Sequence, residues 1–124
     1  MPILNVQIMQ GHSVSQKADL LRNITQAIVD SVKAPLHTVR IVLEEVPPYH
    51  VIVAGEMGKP MALVTANLIE GRTEELKAAL IHALAHAVEQ SIGLSIQDVR
   101  VILYDIPKTD IGVAGGKTAK AAGR

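Results

Sequence analysis

Residues 39–55 read VRIVLEEVPPYHVIVAG, and residues 99–115 read VRVILYDIPKTDIGVAG. Each stretch is a run of β-branched residues that is closed by proline and followed by a short aliphatic run. The two stretches lie 60 residues apart, and the alignment needs no gap. Other identities recur at the same offset: Gly11 and Gly71, Lys17 and Lys77, Leu20 and Leu80. This self-similarity is typical of a duplicated unit and predicts internal repeats over residues 2–59 and 62–116.

Each copy shows the same pattern of predicted elements. Alternating aliphatic residues and β-branched runs predict strands at 2–9, 39–46, 62–69 and 99–106. Ser13 and Thr73 are suited to cap a helix in each copy, and Pro35 and Gly93 mark the helix ends. Between these signals the aliphatic residues recur at helical spacing, which predicts one apolar stripe on each helix.

The order strand, helix, strand in each copy predicts two right-handed parallel β-α-β units. Pairing the units gives an α/β (α+β) fold with a four-stranded mixed sheet and both helices on one face, in one domain over residues 1–124. The opposite face of the sheet is also aliphatic, so we expect homo-oligomerisation to cover it. Residues 117–124 are small and polar and predict a flexible tail.

The composition excludes several classes of function. The chain has 124 residues, with 12 basic and 12 acidic side chains, no cysteine and 2% aromatic residues. Balanced charge and few aromatic residues argue against a nucleic-acid partner. No apolar stretch reaches the ~20 residues of a membrane span, and no signal region is evident, so a cytoplasmic protein without a membrane partner is expected. Without cysteine, thiol catalysis and thiolate metal sites are excluded.

Pro2 is the first candidate for chemistry. Removal of Met1 before this small residue would leave a free secondary amine. An α-amino group has a pKa of roughly 7.7 to 8.0, and apolar burial or nearby cations lower that pKa by disfavouring the charged form. A neutral amine can act as a general base. The alternative is that Pro2 only opens a strand, where its missing N–H is tolerated.

Arginines and histidines supply the other candidates. Arg40 and Arg100 occupy equivalent positions at the starts of second strands, and Arg72 corresponds to His12 in the first copy. A guanidinium can bind a carboxylate through two hydrogen bonds, and the alternative is a solvated arginine or one that forms a surface ion pair. His82 and His86 are spaced like helical metal ligands, but no acid lies between them, so no metal site is predicted.

Together these motifs resemble the 4-oxalocrotonate tautomerase group of the tautomerase superfamily. The residues that carry the resemblance are Met1-Pro2-Ile3, the Gly before Ser13 or Thr73, Ala34-Pro35-Leu36, Val39-Arg40-Ile41 and Ala54-Gly55-Glu56. The first copy matches along nearly its whole length, and the second is similar from Leu63 to Gly116. The chain thus resembles the fused form, in which two short subunits have become one polypeptide with the tautomerase (MIF-like) fold.

The resemblance implies a catalytic role for Pro2. Its counterpart in the second copy, Ala62, is internal and has no amine, so only one copy could supply a base. The family's first-turn arginine, which binds a substrate carboxylate, falls on His12 and on Arg72, and Arg72 would serve the Pro2 site.

The second arginine of the family, which polarises carbonyl and carboxylate oxygens, falls on Arg40 and Arg100. The sequence leaves open which of the two faces Pro2. The aromatic pocket wall falls on Val51 and Ile111, which are aliphatic and leave the pocket shape and the substrate open.

These features predict an isomerase that needs no cofactor and no metal and moves a proton between the enol and keto forms of a small 2-hydroxydienoic or 2-oxo acid. By analogy, three chains would form a homotrimer. One alternative is a dehalogenase, hydratase or decarboxylase acting on 3-carbon acids, but the position near Val113 lacks the carboxylate that activates water. Another alternative is a non-catalytic oligomer.

Overall fold

The computed structural model describes residues 2–124. In chain order the helices and strands are β1 (Ile3–Met9), α1 (Val14–Val32), β2 (Arg40–Val46), β3 (Ile52–Val53), β4 (Glu56–Met57), β5 (Ala62–Ile69), α2 (Glu74–Ile92), β6 (Val99–Ile106), β7 (Gly112–Val113) and β8 (Lys117–Thr118). Single 3-10 turns lie at Leu36–Thr38, Pro48–His50 and Ile96–Asp98. The predicted tandem β-α-β organisation is confirmed, with strand limits that differ by at most one residue.

One mixed sheet of four strands forms the centre of the fold, in the order β2-β1-β5-β6. Each copy contributes a parallel pair, and the two copies meet where β1 runs antiparallel to β5. Ile3 therefore lies opposite Asn67, and Ile8 lies opposite Ala62. We call the end where β1 begins and β5 finishes the Pro2 end of the sheet, and the other the Ala62 end. Each end combines residues from both copies.

Both helices begin at the predicted capping residues. The Ser13 hydroxyl accepts a hydrogen bond from the backbone N–H of Gln16 at 3.1 Å, and the Gln16 side chain accepts one from the Ser13 N–H at 2.9 Å. This reciprocal arrangement satisfies N–H groups that have no partner within the helix. Thr73 caps α2, which ends at Gly93 in the left-handed conformation that glycine adopts without strain. Within residues 2–124, neither helix is long and apolar enough to span a membrane.

The main core lies between the sheet and the two helices. Alternate residues of β1 and β5 point toward the helices and are almost fully buried: Leu4, Val6, Ile8, Val64, Ala66 and Leu68. They pack against the stripe of each helix, which includes Leu20, Ile24, Ile28, Leu80, Leu84 and Val88. Equivalent ion pairs, Lys17–Glu45 at 2.9 Å and Lys77–Asp105 at 2.8 Å, join each helix to its second strand. The repeat thus extends from sequence to packing.

The opposite face of the sheet is left open in the single chain. It carries polar residues on the central strands, such as Asn5, and apolar residues on the outer strands. Val42 on β2 is 58% exposed, while Ile102 and Tyr104 on β6 are 43% and 50% exposed. This distribution agrees with the expectation that another chain covers the face.

The C-terminal segment, for which the sequence predicts a flexible tail over residues 117–124, begins with a short strand in the structure. Lys117–Thr118 pairs with Gly112–Val113, and Ala119 is fully buried in a second apolar cluster that contains Ile69 and Ile111. Backbone hydrogen bonds of 2.9 Å join Ala119 to Ile111 and Arg124 to Ala119. These contacts place Ala119 against the sheet, and the flexibility of residues 117–124 stays a prediction.

Candidate active site

Pro2 lies at the start of the β1–β2 ladder. Its carbonyl accepts a hydrogen bond of 3.1 Å from the backbone N–H of Arg40, and its side chain is less than 2% exposed. Pro2 has the same sheet orientation as Leu4, which explains why it is buried. Removal of Met1, on which the predicted amine depends, lies outside the described residues.

Arg72 reaches the same end of the sheet from the second copy. Pro2 precedes Ile3, which pairs with Asn67, so the antiparallel register places Pro2 beside Leu68. Arg72 follows the turn after β5. The Arg72 Nη1 donates a hydrogen bond of 3.0 Å to the carbonyl of Ile69, which fixes the side chain. Burial lowers the pKa of Arg72 from its usual value, and the Asp105 carboxylate partly offsets this shift. The guanidinium still carries its charge at neutral pH, because the ordinary pKa of arginine is so high.

A cavity of about 280 Å³ opens beside Arg72 at the Pro2 end. Its lining residues are Pro35, Thr38, Ile69, Glu70, Arg72, Lys108 and Arg124. Thr38 is almost completely buried, and its hydroxyl donates to the carbonyl of Pro35 at 2.7 Å, so it serves the loop and not the cavity. Apolar walls with a few cationic groups suit a small organic anion.

Arg40 and Ile111 also belong to the Pro2 end. Arg40 pairs with Ile3 across the parallel ladder, and its exposed side chain lies on the open face of the sheet. Within residues 2–124, no side-chain hydrogen bond or salt bridge involves Arg40. Ile111 is buried in the second apolar cluster, where it packs with Ile69 and Ile3.

The Ala62 end holds the other predicted site residues. Arg100 lines a cavity of about 190 Å³ with Ala62, and its Nη1 donates to the carbonyls of Gln97 at 2.8 Å and Val99 at 3.1 Å. His12 lines a neighbouring cavity of about 320 Å³ together with Asp98. Val51 is buried in the first-copy loop, two residues before Val53, which lines the Arg100 cavity.

The structure therefore separates the predicted residues into two groups. Pro2, Arg40, Arg72 and Ile111 lie at one end of the sheet, whereas His12, Val51 and Arg100 lie at the other. The antiparallel pairing of β1 with β5 causes this separation, because it places the start of β1 beside the end of β5.

Lys108 and Arg124 also line the Pro2-end cavity, but the sequence motifs did not predict them as site residues. Lys108 follows the proline that closes β6, and the equivalent position in the first copy is Pro48. The presence of lysine in the second copy where the first copy has proline is the sequence signal that could have identified Lys108. Arg124 has no equivalent loop residue, because the first copy continues into β5 there.

His82 and His86 lie on the surface of α2 with their ring centroids 4.2 Å apart. In the part of the chain that the structure describes, no group of three or more potential ligands of the types His, Asp and Glu is arranged to hold a metal ion. The pair lies on the helix layer, on the other side of the sheet from the open face.

Comparisons with known proteins agree with this architecture. A family model described as Tautomerase enzyme matches residues 2–59 and again residues 63–121. The chain is 41% identical over 64 residues to a 2-hydroxymuconate tautomerase of Stutzerimonas stutzeri, covering 52% of this chain and all of that protein.

Two solved structures are similar along almost the whole chain. A fused 4-OT designated Q0, solved as a wild-type symmetric trimer, is 57% identical with a TM-score of 0.97, covering 98% of this chain and 99% of that one. A protein named Pt0534, solved after inactivation by 2-oxo-3-pentynoate, is 40% identical with a TM-score of 0.96 and the same coverage. The chain belongs to the tautomerase family, and it is an isomerase.

Proposed function

We propose that the chain interconverts the enol and keto forms of a small 2-hydroxydienoic or 2-oxo acid, with the Pro2 nitrogen as the general base. The observation that carries this proposal is that Pro2, Arg40, Arg72 and Ile111 lie at one end of the sheet, where a cavity opens beside Arg72. The first match to the family model begins at Pro2, which supports its assignment as the family's proline. Removal of Met1 would convert the Pro2 amide into a secondary amine.

The proposed reaction moves one proton and changes no oxidation state. The neutral amine takes the proton from the enol hydroxyl while the C–O bond gains double-bond character and the diene electrons shift toward carbon. The resulting ammonium returns the proton to the carbon that becomes saturated in the ketone. Buried apolar surroundings and nearby cations both favour the uncharged amine, which is the form that can accept a proton.

The arginines have separate proposed roles around this proton transfer. Arg72 binds a substrate carboxylate, for which its fixed and partly buried guanidinium is well placed. A second arginine stabilises the negative charge that develops on the oxygen in the transition state. Arg40 is favoured for this second role, because it lies at the Pro2 end and its guanidinium is not committed to another group within residues 2–124.

Isomerisation without addition of water is the preferred reaction. A hydratase or dehalogenase needs a carboxylate to activate water near Val113, but Val113 is buried in the apolar cluster with Ile69 and Ile111. We also propose that three chains assemble as a trimer. The exposed apolar residues of the open sheet face support this assembly, as does the symmetric trimer of the fused relative.

Ketonisation of 2-hydroxymuconate tests the proposed activity, with phenylenolpyruvate as a second substrate. We expect the purified protein to accelerate the loss of dienol absorbance above the buffer rate, with no change after treatment with EDTA. A rate equal to that of buffer for both substrates, measured on protein whose N-terminal proline is free, would contradict the proposal and favour the non-catalytic oligomer.

The two candidate arginines for the second role are distinguished by single substitutions. We expect Arg40→Ala to lower kcat/KM by about 10- to 100-fold, which corresponds to the loss of one charged hydrogen-bonding partner. Arg100→Ala should have a much smaller effect, because Arg100 lies at the Ala62 end. The reverse order would show that a neighbouring chain supplies Arg100 to the Pro2 site, and the assignment of Arg40 would be wrong.

A further inference from the structure

The cavity of about 190 Å³ at the Ala62 end is the duplicated counterpart of the surroundings of Pro2. At the offset of 60 residues, Ala62 corresponds to Pro2 and Arg100 corresponds to Arg40. Ala62 is joined to Met61 by a peptide bond, so this cavity has no amine that could transfer a proton. We call it the Ala62 cavity and ask which ligand its side chains would bind.

The second copy places a carboxylate where the first copy has a hydroxyl group. Asp98, which lines the Ala62 cavity, corresponds to Thr38. The Thr38 hydroxyl is buried and donates to the carbonyl of Pro35, whereas the half-buried Asp98 carboxylate takes part in no side-chain hydrogen bond or ion pair within residues 2–124. The N–H of Asp98 donates to the carbonyl of Ser95 at 2.9 Å, which fixes its backbone. Asp98 can therefore accept hydrogen bonds from a ligand.

Arg100 supplies the opposite charge in the same cavity. Its Nη1 donates to the carbonyls of Gln97 and Val99 at 2.8 Å and 3.1 Å, which orients the guanidinium and leaves its other N–H groups for a ligand. Among the salt bridges within residues 2–124, none joins Arg100 to Asp98. A carboxylate and a guanidinium that line one cavity without pairing to each other are complementary to a zwitterion.

The rest of the lining is mainly apolar and consists of Val53, Met61, Ala62 and Leu63, together with Gln97. Such a wall favours an aliphatic group on the ligand. The volume is below the range of about 300 to 1,000 Å³ that drug-sized ligands occupy, so the aliphatic group must be short. One ammonium, one carboxylate and one short aliphatic chain together describe an aliphatic α-amino acid.

We propose that the Ala62 cavity binds a small aliphatic α-amino acid. The Asp98 carboxylate accepts hydrogen bonds from its ammonium group, the guanidinium of Arg100 donates to its carboxylate, and its side chain contacts the apolar wall. The ligand is bound without any covalent change. This second site is separate from the cavity beside Arg72 and does not depend on the proposed tautomerisation.

The test compares three ligands that share one branched aliphatic chain. L-Leucine carries both charged groups, 3-methylbutylamine lacks the carboxylate, and 4-methylpentanoate lacks the ammonium. In isothermal titration at low salt we expect the wild-type protein to bind one leucine per chain, at least about three- to tenfold more tightly than either analogue. No binding of leucine, or equally tight binding of one of the analogues, would overturn the proposal.

Two substitutions assign the charged contacts. Asp98→Asn keeps the shape of the side chain and should weaken leucine binding by about three- to tenfold, with 4-methylpentanoate binding unchanged. Arg100→Gln should weaken leucine binding to a similar extent, with 3-methylbutylamine binding unchanged. If each variant weakens its analogue as much as leucine, the two groups do not recognise the two charges and the proposal fails.

Matched controls come from the first copy. Asp19→Asn removes a carboxylate from the exposed surface of α1, and Arg40→Gln removes the arginine equivalent to Arg100 from the Pro2 end. Both should bind leucine as tightly as the wild-type protein. A loss with Arg40→Gln as large as that with Arg100→Gln would place leucine at the Pro2 end, and a loss with Asp19→Asn would show a general charge effect. Either result would overturn the assignment to the Ala62 cavity.

Discussion

Replacing Pro2 with alanine is expected to lower kcat for dienol ketonisation by about 100- to 10,000-fold, the range that a positioned general base contributes. The substitution removes the pyrrolidine ring and changes the basicity and position of the amine, while the β1–β2 hydrogen bond from Arg40 to the carbonyl of residue 2 can persist. The measurement is kcat with 2-hydroxymuconate under saturating conditions.

Pro60→Ala is the appropriate control for this variant. Pro60 lies before β5, at the Ala62 end, and lines the cavity that contains His12. Its replacement should leave kcat within about twofold of wild type, since surface substitutions of this kind change little. A Pro2→Ala protein that ketonises the dienol at the wild-type rate would exclude Pro2 as the base.

Arg72→Ala is expected to weaken transition-state binding of a carboxylate substrate by about 1.5 to 3 kcal/mol, which is the contribution of one charged hydrogen-bonding partner. This corresponds to a decrease in kcat/KM of roughly 10- to 150-fold. The loss should be large because Arg72 is partly buried and held by the carbonyl of Ile69, so the bound carboxylate is poorly screened by solvent.

Two other substitutions show whether the effect belongs to the site. Arg22→Ala removes a guanidinium from the exposed surface of α1, where the Arg22 Nη1 lies 3.7 Å from the Asp19 Oδ1. This substitution should leave kcat/KM near the wild-type value. His12→Ala should have a smaller effect than Arg72→Ala, because His12 lies at the Ala62 end. An Arg72→Ala effect no larger than that of His12→Ala would count against the assigned role.

Much of the fold could be predicted from the sequence because it depends on local periodicity. The helices begin after Ser13 and Thr73, as the capping residues indicate, and the apolar stripes face the sheet as expected. Strand limits were also accurate, since proline and glycine interrupt the pattern at the same places in both copies. Duplication made these signals stronger, because each could be checked against its equivalent 60 residues away.

The candidate site could be predicted only in part. Its residue types follow from the motifs, but the separation of Arg40 from Arg100 depends on the antiparallel pairing of β1 with β5, which periodicity does not specify. The position of Arg124 beside the Pro2-end cavity depends on the packing of Ala119 with Ile69 and Ile111. Small residues such as Ala119 carry little information in sequence, so the burial of Ala119 could not be predicted.

The role of Pro2 as a free amine is tested by the mass of the N-terminal peptide after incubation with 2-oxo-3-pentynoate, the compound that inactivated a solved relative. A neutral secondary amine would add its N–H across the activated triple bond of this acid. We predict a peptide that begins at Pro2 and carries one such adduct, with activity lost in proportion to labelling. A peptide that begins at Met1, or an adduct on another residue while Pro2 stays unmodified, would exclude Pro2 as the reactive amine.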